Sequence, residues 1–293
     1  MTFTVEIVGE ERCRLGESPV WDGEARLLYW VDSVAPSIWR YDPATGEQSQ
    51  IPAPQTIGSI ALGRPGELIA GLTDGVYRVQ LDTGAFAPIA LPKTLAPNER
   101  FNDGKADRQG RFVTGTMVTH VEAGRIGKLY RFSTGGAWEI LPTVPIEIAN
   151  STCFSPDGAT LYFADSLRHM LWAFSYNPKT GALGDKRDFF ETSGFGSAPD
   201  GATVDAEGFI WLALVQAQKL VRISPQGRLD RVVESPAPLS SCPAFGGEDL
   251  DILYVTSISD SGGRLKSDVD ASGRLLAFHG LGVRGIAEAR CFL

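Results

Sequence analysis

The sequence lacks the features that mark several large classes of protein. Its 27 basic residues against 35 acidic ones give a net charge of −8. No basic cluster offsets this balance, so a nucleic-acid partner is not expected, because phosphate backbones need a positive footprint. The longest strongly apolar run, FIWLALV at 209–215, is far shorter than the roughly 20 residues that span a bilayer. The N-terminus, MTFTVEIVGEERC, has no basic region followed by an apolar run, which predicts a cytoplasmic protein with no membrane partner.

Residues for several common chemistries are also scarce. Three histidines and no G-x-S-x-G elbow give little support to a Ser-His-Asp hydrolase. No G-x-x-x-x-G-K-[ST] loop is present to bind phosphate, and no Cys and His cluster suits zinc. The four cysteines show no C-x-x-C pairing and are expected to be buried free thiols rather than disulfides or soft-metal ligands. They are Cys13, Cys153, Cys242 and Cys291.

The sequence is rich in repetition. Helical periodicity is hard to find, whereas β-branched and aromatic runs bounded by turn residues recur about every 8–12 residues. A tight turn followed by an apolar run occurs six times, for example SPDGATLYFADS at 155–166, and alternates with a second strand type such as KLYRFSTGG at 128–136. A repeat of roughly 40–50 residues with about four short strands is typical of a β-propeller blade.

We therefore predict an all-β fold, a six-bladed β-propeller with four-stranded blades, and a single domain over 1–293. The segment FTVEIVG at 3–9 belongs to no repeat. It is expected to form the outer strand of the blade that holds the C-terminus, which closes the ring and removes free sheet edges. Because a closed ring needs no partner for stability, a monomer is expected.

One register position stands out when the six repeats are aligned on the apolar residue before each turn. Four residues back, the six inner strands carry Glu17, Gly58, Asn102, Asn150, Asp200 and Ser241. In a propeller these strands line the channel, so the six positions converge at one end of the axis. Four of the six are oxygen ligands of the kind that a hard divalent cation prefers.

Two readings of these residues are possible. Asn and Asp before a strand often serve as turn residues that bond their own backbone, which would account for any one position but less readily for four in one register. Two carboxylates within ~5 Å would repel by roughly 3 kcal/mol at an effective dielectric near 20. A bound divalent ion would reverse that repulsion.

Loops after the second strands are expected around the same end of the channel. They carry Asp32, His120, Asp165, Arg168 and His169. The connection PKTLAPNERF brings Arg100 two residues before Asn102. Arg100 could bind a polar substrate or stabilise developing charge, or be a solvated surface arginine. The two loop histidines could be acid/base groups, substrate donors or merely solvated, and His279, inside a strand, is expected to be structural.

An oxygen-ligated cation at the bottom of a pocket can polarise a carbonyl or phosphoryl oxygen and lower the pKa of a water molecule. That chemistry suits hydrolysis of an ester, a lactone or a phosphotriester. Asp200 is the predicted general base as well as a ligand, since a metal-held carboxylate can position the attacking water. Glu17 would be the plainer ligand.

Several motifs resemble the senescence-marker-protein, regucalcin and gluconolactonase family. They are LGESPVWD, RFNDGK, GRFVTGTM, PDGATVDAEGFIWLAL and GLGVRGIA. The resemblance runs from about residue 15 to 286. It implies a six-bladed propeller with one divalent metal on its axis and hydrolysis of a sugar lactone as the commonest activity.

The resemblance also implies roles for individual residues. The family's metal ligands fall on Glu17, Asn150 and Asp200. Its substrate-contacting Arg and Asn fall on Arg100 and Asn102. His120 stands where some members carry a Glu that holds the sugar, so it is a predicted substrate-binding residue and the sugar stays unspecified. All-oxygen ligation favours Ca²⁺, and Zn²⁺, Mn²⁺ and Fe²⁺ remain possible because family members hold different ions.

Three functions follow as hypotheses. The first is a metal-dependent lactonase that opens an aldonolactone to the aldonic acid. The second keeps the metal site but hydrolyses a phosphotriester or fluorophosphate. The third is a calcium-binding regulatory protein without turnover, which is disfavoured by the polar side chains expected at the mouth, Arg100, His120 and Arg168.

Overall fold

The computed structural model describes residues 3–119 and 124–293 of the chain. Within these ranges the regular structure is almost entirely β-strand, and 24 strands form six four-stranded sheets. The helical part of the described chain consists of single turns of 3-10 helix, at Thr134–Gly136, Ser166–Arg168 and Ser193–Phe195. None of the helices described is long and apolar enough to cross a membrane.

Each sheet is an antiparallel blade with four strands from the axis outward. The inner strands are β2 (Gly16–Asp22), β6 (Ile57–Leu62), β10 (Glu99–Ala106), β14 (Ala149–Phe154), β18 (Pro199–Val204) and β22 (Ser240–Gly246). The second strands are β3 (Leu27–Asp32), β7 (Glu67–Leu72), β11 (Phe112–Val118), β15 (Thr160–Asp165), β19 (Ile210–Leu214) and β23 (Ile252–Ser257). The third strands are β4 (Ser37–Tyr41), β8 (Val76–Gln80), β12 (Gly127–Ser133), β16 (Met170–Tyr176), β20 (Lys219–Ile223) and β24 (Leu275–His279). The outer strands are β5 (Gln48–Pro52), β9 (Phe86–Ala90), β13 (Ala137–Ile146), β17 (Leu183–Glu191), β21 (Leu229–Glu234) and β1 (Thr4–Val8).

The blades are joined into a closed ring. Successive inner strands contact one another, and β22 contacts β2 to complete the circle. We number the blades 1 to 6 from β2 to β22. The outer strand of blade 6 is β1, which pairs antiparallel with β24 from Thr4 opposite His279 to Val8 opposite Leu275. The predicted six-bladed propeller closed by the N-terminal strand is therefore confirmed.

The core lies between the faces of neighbouring blades. Between blades 5 and 6, for example, Trp211, Phe245 and Phe278 pack in one buried cluster. Strands packed between two blades appear in the sequence as continuous apolar runs, because neighbouring blades cover both of their faces. Each fully buried large side chain contributes about 1.5–3 kcal/mol of transfer free energy. The four cysteines are free and buried, as predicted.

Every inner strand is irregular at the predicted register position. Register shifts fall between Glu17 and Val20, Ile57 and Ser59, Phe101 and Gly104, Asn150 and Cys153, Pro199 and Ala202, and Ser240 and Pro243. Ser18 and Ser151 take left-handed backbone angles there, with φ of 49° and 60°. Such bulges bend a strand and re-aim its side chains. Here the bulges lie at the same position in all six inner strands, at one end of the channel.

The opposite end of the channel is covered by the chain that follows β24. There Glu288 forms an ion pair with Lys105 of β10 at 3.1 Å. A cavity of about 400 Å³ lies beside this segment. Its charged lining is already paired, since Arg290 contacts Asp22 at 2.7 Å and Glu24 at 2.9 Å.

Candidate functional site

Two carboxylates from different blades have few hydrogen-bond partners at the bulged end of the channel. Asp200 is only 7% exposed, and the hydrogen bond at this residue goes from Ser151 Oγ to its backbone oxygen. Within the part of the chain described, none reaches its carboxylate. Glu17 Oε2 accepts one hydrogen bond, from the Ser18 N–H at 3.2 Å. Buried carboxylates with so few donors need another source of positive charge.

The pKa values of these groups reflect that environment. Burial raises the pKa of Glu17 well above its ordinary value, and the charges of Asp200 and Asp103 raise it further. Burial and the charge of Asp103 likewise raise the pKa of Asp200 well above its ordinary value. Each group therefore resists ionisation unless a cation lies beside it.

Asp103 is a site residue that the alignment of the six repeats did not single out. It is 5% exposed, its Oδ2 accepts a hydrogen bond from the Thr152 N–H at 2.6 Å, and burial raises its pKa. In a regular strand Asp103 would face away from Asn102, because side chains alternate. The bulge between Phe101 and Gly104 cancels that alternation. The motif RFND places two polar residues side by side on an inner strand, but such a pair does not by itself predict a bulge.

Asparagine side chains connect the neighbouring blades 3 and 4. Asn102 Nδ2 donates to the Ala149 carbonyl at 2.9 Å and to Asn150 Oδ1 at 3.3 Å. Asn150, 5% exposed, donates from Nδ2 to Ser166 Oγ at 2.7 Å. These bonds orient the Asn150 amide so that its Oδ1 keeps acceptor capacity, because a carbonyl oxygen has two lone pairs.

Arg100 lies at the same end and is tied to this network. Its Nη1 donates to the Phe101 carbonyl at 2.8 Å and to Asn102 Oδ1 at 3.0 Å. Burial lowers the pKa of Arg100 to about 10 together with the charge of Arg264, while Glu17 raises it. Arg100 remains protonated at neutral pH. It is fixed on one side by Asn102 and therefore presents its remaining N–H groups in a defined direction.

Arg264 is a second residue that sequence analysis missed. It lies on the long connection 258–274 between β23 and β24 and donates from Nη2 to the Thr119 carbonyl at 2.6 Å. Thr119 follows β11 of blade 3, which is opposite blade 6 in the ring. A long loop without periodicity gives no sequence signal for such a contact.

Two of the acidic residues predicted around the mouth have structural roles. Asp32 accepts hydrogen bonds from the backbone N–H groups of Arg14, Leu15, Val34 and Ala35. Asp165 accepts from those of Glu147, Ile148 and Leu167. Both therefore fix the backbone that leads into an inner strand.

Three basic residues were also expected at the mouth. Arg168 lies 3.4 Å from Asp165, and the Nδ1 of His169 lies 3.0 Å from the Ser197 carbonyl. These contacts give both side chains local roles in the loop. The predicted substrate-binding residue His120 falls outside the described residues.

The donor set fits a hard cation. In the described ranges no three His, Cys, Asp or Glu residues gather closely enough to hold a metal ion by themselves. The predicted set, however, contains only two carboxylates, Glu17 and Asp200, and its third member is the amide of Asn150. The other three aligned positions are not assigned as metal ligands. Gly58 has no side chain, Ser241 Oγ donates a hydrogen bond to the Gly16 carbonyl, and Asn102 Oδ1 accepts one from Arg100. Carboxylate and amide oxygens are ligands that a divalent ion such as Ca²⁺ prefers, and these two carboxylates have few hydrogen-bond partners of their own.

A closed six-bladed propeller with buried carboxylates and amides at one end of its axis, and arginines beside them, defines a class of proteins with an axial small-molecule or ion site. Residues 15–259 match the family model described as "SMP-30/Gluconolactonase/LRE-like region", and the chain belongs to this family. The resemblance seen in the sequence motifs is thus confirmed.

Known relatives cover nearly the whole chain. Regucalcin of Gallus gallus is 32% identical over 96% of both chains. The 6-deoxy-6-sulfogluconolactonase of Pseudomonas putida is 32% identical over 88% of both chains. A crystal structure of a calcium-binding protein, regucalcin, from Agrobacterium tumefaciens has a TM-score of 0.91 at 27% identity, covering 99% of this chain and 98% of that one. Family membership supports a sugar lactonase or a calcium-binding role.

Proposed function

We propose that this protein is a metal-dependent lactonase that hydrolyses a sugar lactone to the aldonic acid. The observation that carries the proposal is a pair of carboxylates at the arginine-lined end of the channel, the partly buried Glu17 with one hydrogen-bond donor and the buried Asp200 with none among the described residues. Relatives named for lactone hydrolysis support a small sugar lactone as the substrate.

Glu17, Asn150 and Asp200 would hold one divalent ion, with Ca²⁺ favoured by the all-oxygen donor set. When bound, such an ion supplies Lewis acidity that polarises the lactone carbonyl and lowers the pKa of water. Holding the ion also relieves the repulsion that raises the pKa of Glu17. All three residues would therefore bind the ion, and the two carboxylates would depend on it for their ionised state.

The chain's own residues carry out the remaining steps. Asp200 accepts a proton from the attacking water as that oxygen bonds to the carbonyl carbon. The bond between the carbonyl carbon and the ring oxygen then breaks, and the proton passes to the departing alkoxide. Arg100 and Asn102, coupled at 3.0 Å, orient the sugar hydroxyls.

The proposal is tested by proton release in a pH-stat with a panel of aldonolactones. Chelator-stripped protein is compared with protein restored singly with Ca²⁺, Zn²⁺, Mn²⁺ or iron(II), and the spontaneous rate is subtracted. We expect turnover with at least one metal and none above the blank in Asp200→Asn. The matched control is Asp165→Asn, another buried aspartate at this end, which should retain turnover per folded molecule. Full activity in Asp200→Asn would refute the assignment.

A calcium-binding role without turnover is the second candidate, because relatives named regucalcin include one described as calcium-binding. It predicts that Ca²⁺ stabilises the protein while no lactone is hydrolysed with any metal. Phosphotriesters belong in the same substrate panel, since faster turnover of these compounds would reassign the site to that hydrolysis.

A further inference from the structure

The connection 258–274 reaches from blade 6 toward the opposite side of the channel mouth. It is an ordered loop, since Asp260 Oδ1 accepts hydrogen bonds from the N–H groups of Gly262 and Gly263 at 3.0 and 2.7 Å. The next residue, Arg264, reaches the Thr119 carbonyl of blade 3 at 2.6 Å. The turn before Arg264 is thus fixed by Asp260, and the Arg264 guanidinium itself is held by the Thr119 carbonyl.

Two of the three acidic residues of this loop are paired with arginines near its base. Asp260 binds Arg14 at 3.0 Å, and Asp270 binds Arg12 at 3.0 Å and Arg274 at 3.1 Å. Arg264 forms no ion pair with a carboxylate in the ranges 3–119 and 124–293. The Arg264 charge is therefore not compensated by a carboxylate of the described residues, and its guanidinium lies against the end of β11 at Thr119.

A second arginine lies close to Arg264. Thr119, the anchor of Arg264, is bonded through its N–H to the Asn98 carbonyl at 2.8 Å, and Asn98 is two residues before Arg100 on the same chain segment. The charge of Arg264 also acts on Arg100 strongly enough to help lower its pKa. Arg100, likewise, has no ion-pair partner among the residues with described positions. Two like charges thus lie within electrostatic range of each other, in a protein whose net charge is −8.

Such an arrangement is unfavourable without a ligand and favourable with an anion between the two groups, because guanidinium groups bind sulfonate, phosphate and carboxylate oxygens through charge-assisted hydrogen bonds. We propose that Arg100 and Arg264 form a subsite for an anionic substituent of the substrate. The preferred substrate is then an aldonolactone that bears a sulfonate, phosphate or carboxylate group away from its lactone carbonyl. This inference rests on the proposed lactonase function, and it adds Arg264 as the residue that sets substrate charge.

The first test compares kcat/KM for a neutral aldonolactone with that for lactones of 6-phospho-aldonic, 6-sulfo-aldonic and aldaric acids. In the wild type we expect the anionic lactones to be preferred, and the best of the three identifies the anionic group. Arg264→Gln should reduce the ratio of kcat/KM, anionic over neutral, by roughly 10- to 100-fold, mainly through KM. Arg264→Lys, which keeps the charge, should restore much of that ratio.

Lys266→Gln is the matched control, since it removes the same charge from the same exposed loop and should leave the ratio unchanged. Higher ionic strength should reduce the preference in the wild type and have less effect in Arg264→Gln. An equal effect of Arg264→Gln on neutral and anionic lactones would overturn the subsite while leaving the lactonase assignment intact.

If no lactone is hydrolysed, a binding measurement tests the anion subsite separately from the lactonase assignment. Calorimetric titration with the open-chain acids 6-phosphogluconate and gluconate requires no turnover. We expect 6-phosphogluconate to bind more tightly and Arg264→Gln to remove most of the difference. That result without turnover would refute the lactonase and support the subsite, whereas equal affinities in the wild type would refute the subsite.

Discussion

Glu17 and Asp200 occupy the same register position in the inner strands of blades 1 and 5, and the charge of Asp200 helps to raise the pKa of Glu17. Neither carboxylate has the donors that a buried anion ordinarily collects. The pair therefore reduces the stability of the metal-free fold at neutral pH, and a bound divalent ion should reverse that effect.

Metal binding should appear in stability as well as in activity. Chelator-stripped protein titrated with Ca²⁺ should gain about 2.7 kcal/mol in unfolding free energy at 100 times the dissociation constant. Asp200→Asn should abolish most of this gain, because one ligand charge is lost. The measurement is urea unfolding at several calcium concentrations. Asp165→Asn is the control, which should be less stable overall yet show the same gain, and a full calcium response in Asp200→Asn would contradict the ligand assignment.

Gly58→Ala should disturb the site from a position that bears no ligand. A Cβ at this position would lie 2.6 Å from the Asn102 carbonyl oxygen and 2.7 Å from the Asn102 Cα. Because both are backbone atoms, the inner strands of blades 2 and 3 must separate, at a cost of about 1–3 kcal/mol. Thermal unfolding measures that loss, and turnover should fall with it because Asn102 moves. Gly46→Ala has open space around its Cβ, and although its positive φ adds local strain, it should leave turnover unchanged.

Asp32→Asn should lower stability without affecting metal binding. Two of its hydrogen bonds go to the chain entering β2, from the Arg14 N–H at 2.6 Å and the Leu15 N–H at 3.2 Å. An amide replaces one acceptor oxygen by a donor that faces an N–H group, so we expect a loss of about 1–3 kcal/mol. Urea unfolding with and without Ca²⁺ tests this, and a selective loss of the calcium response would show that Asp32 belongs to the metal site instead.

Glu288→Gln should remove a pH-dependent part of the stability. Burial alone would raise the pKa of Glu288, but Lys105 and Arg108 bring it below its ordinary value of 4.5. The stabilisation is therefore complete above about pH 4.5 and is lost as pH falls through the lower folded-state pKa. At pH 7 the variant should lose about 3 kcal/mol, because Lys105 is left buried without its partner.

The check on Glu288 is urea unfolding of both proteins from pH 7 down to pH 3.5. The difference between wild type and Glu288→Gln should narrow below pH 4.5. Glu24→Gln, whose side chain is 71% exposed beside Arg290, should change stability by only about 0–1 kcal/mol. A difference that is constant with pH would contradict the ion-pair account.

The repeat could be predicted from sequence because each blade needs the same two hydrophobic faces. Apolar runs similar to FIWLAL occur six times, and the turn residues before each run set a common register. That register predicts Glu17, Asn102, Asn150 and Asp200 at one end of the axis, and the family resemblance implies that Glu17, Asn150 and Asp200 are the metal ligands. The fold prediction is confirmed, and the ligand assignment stays a prediction that the metal titration tests.

Other features of the site could not be predicted, for specific physical reasons. Asp103 was missed because strand alternation puts it on the far side from Asn102, and a bulge has no dependable sequence signature. Arg264 was missed because its position depends on a long loop that contacts another blade. Asp32 and Asp165 were placed at the right end, but their hydrogen bonds to backbone N–H groups depend on three-dimensional proximity to the next inner strand.

The pairing of β1 with β24 has a consequence for folding. These strands are partners across the full length of the chain, from Thr4 opposite His279 onward, so the ring is sealed by its most non-local contact. Loop-closure entropy makes such contacts late and slow to form. During synthesis β1 leaves the ribosome long before β24 and must remain without its partner until β24 has emerged. Blade 6 is therefore the last to be completed, and the unpaired edge of β1 is the part of the nascent chain most exposed to mispairing.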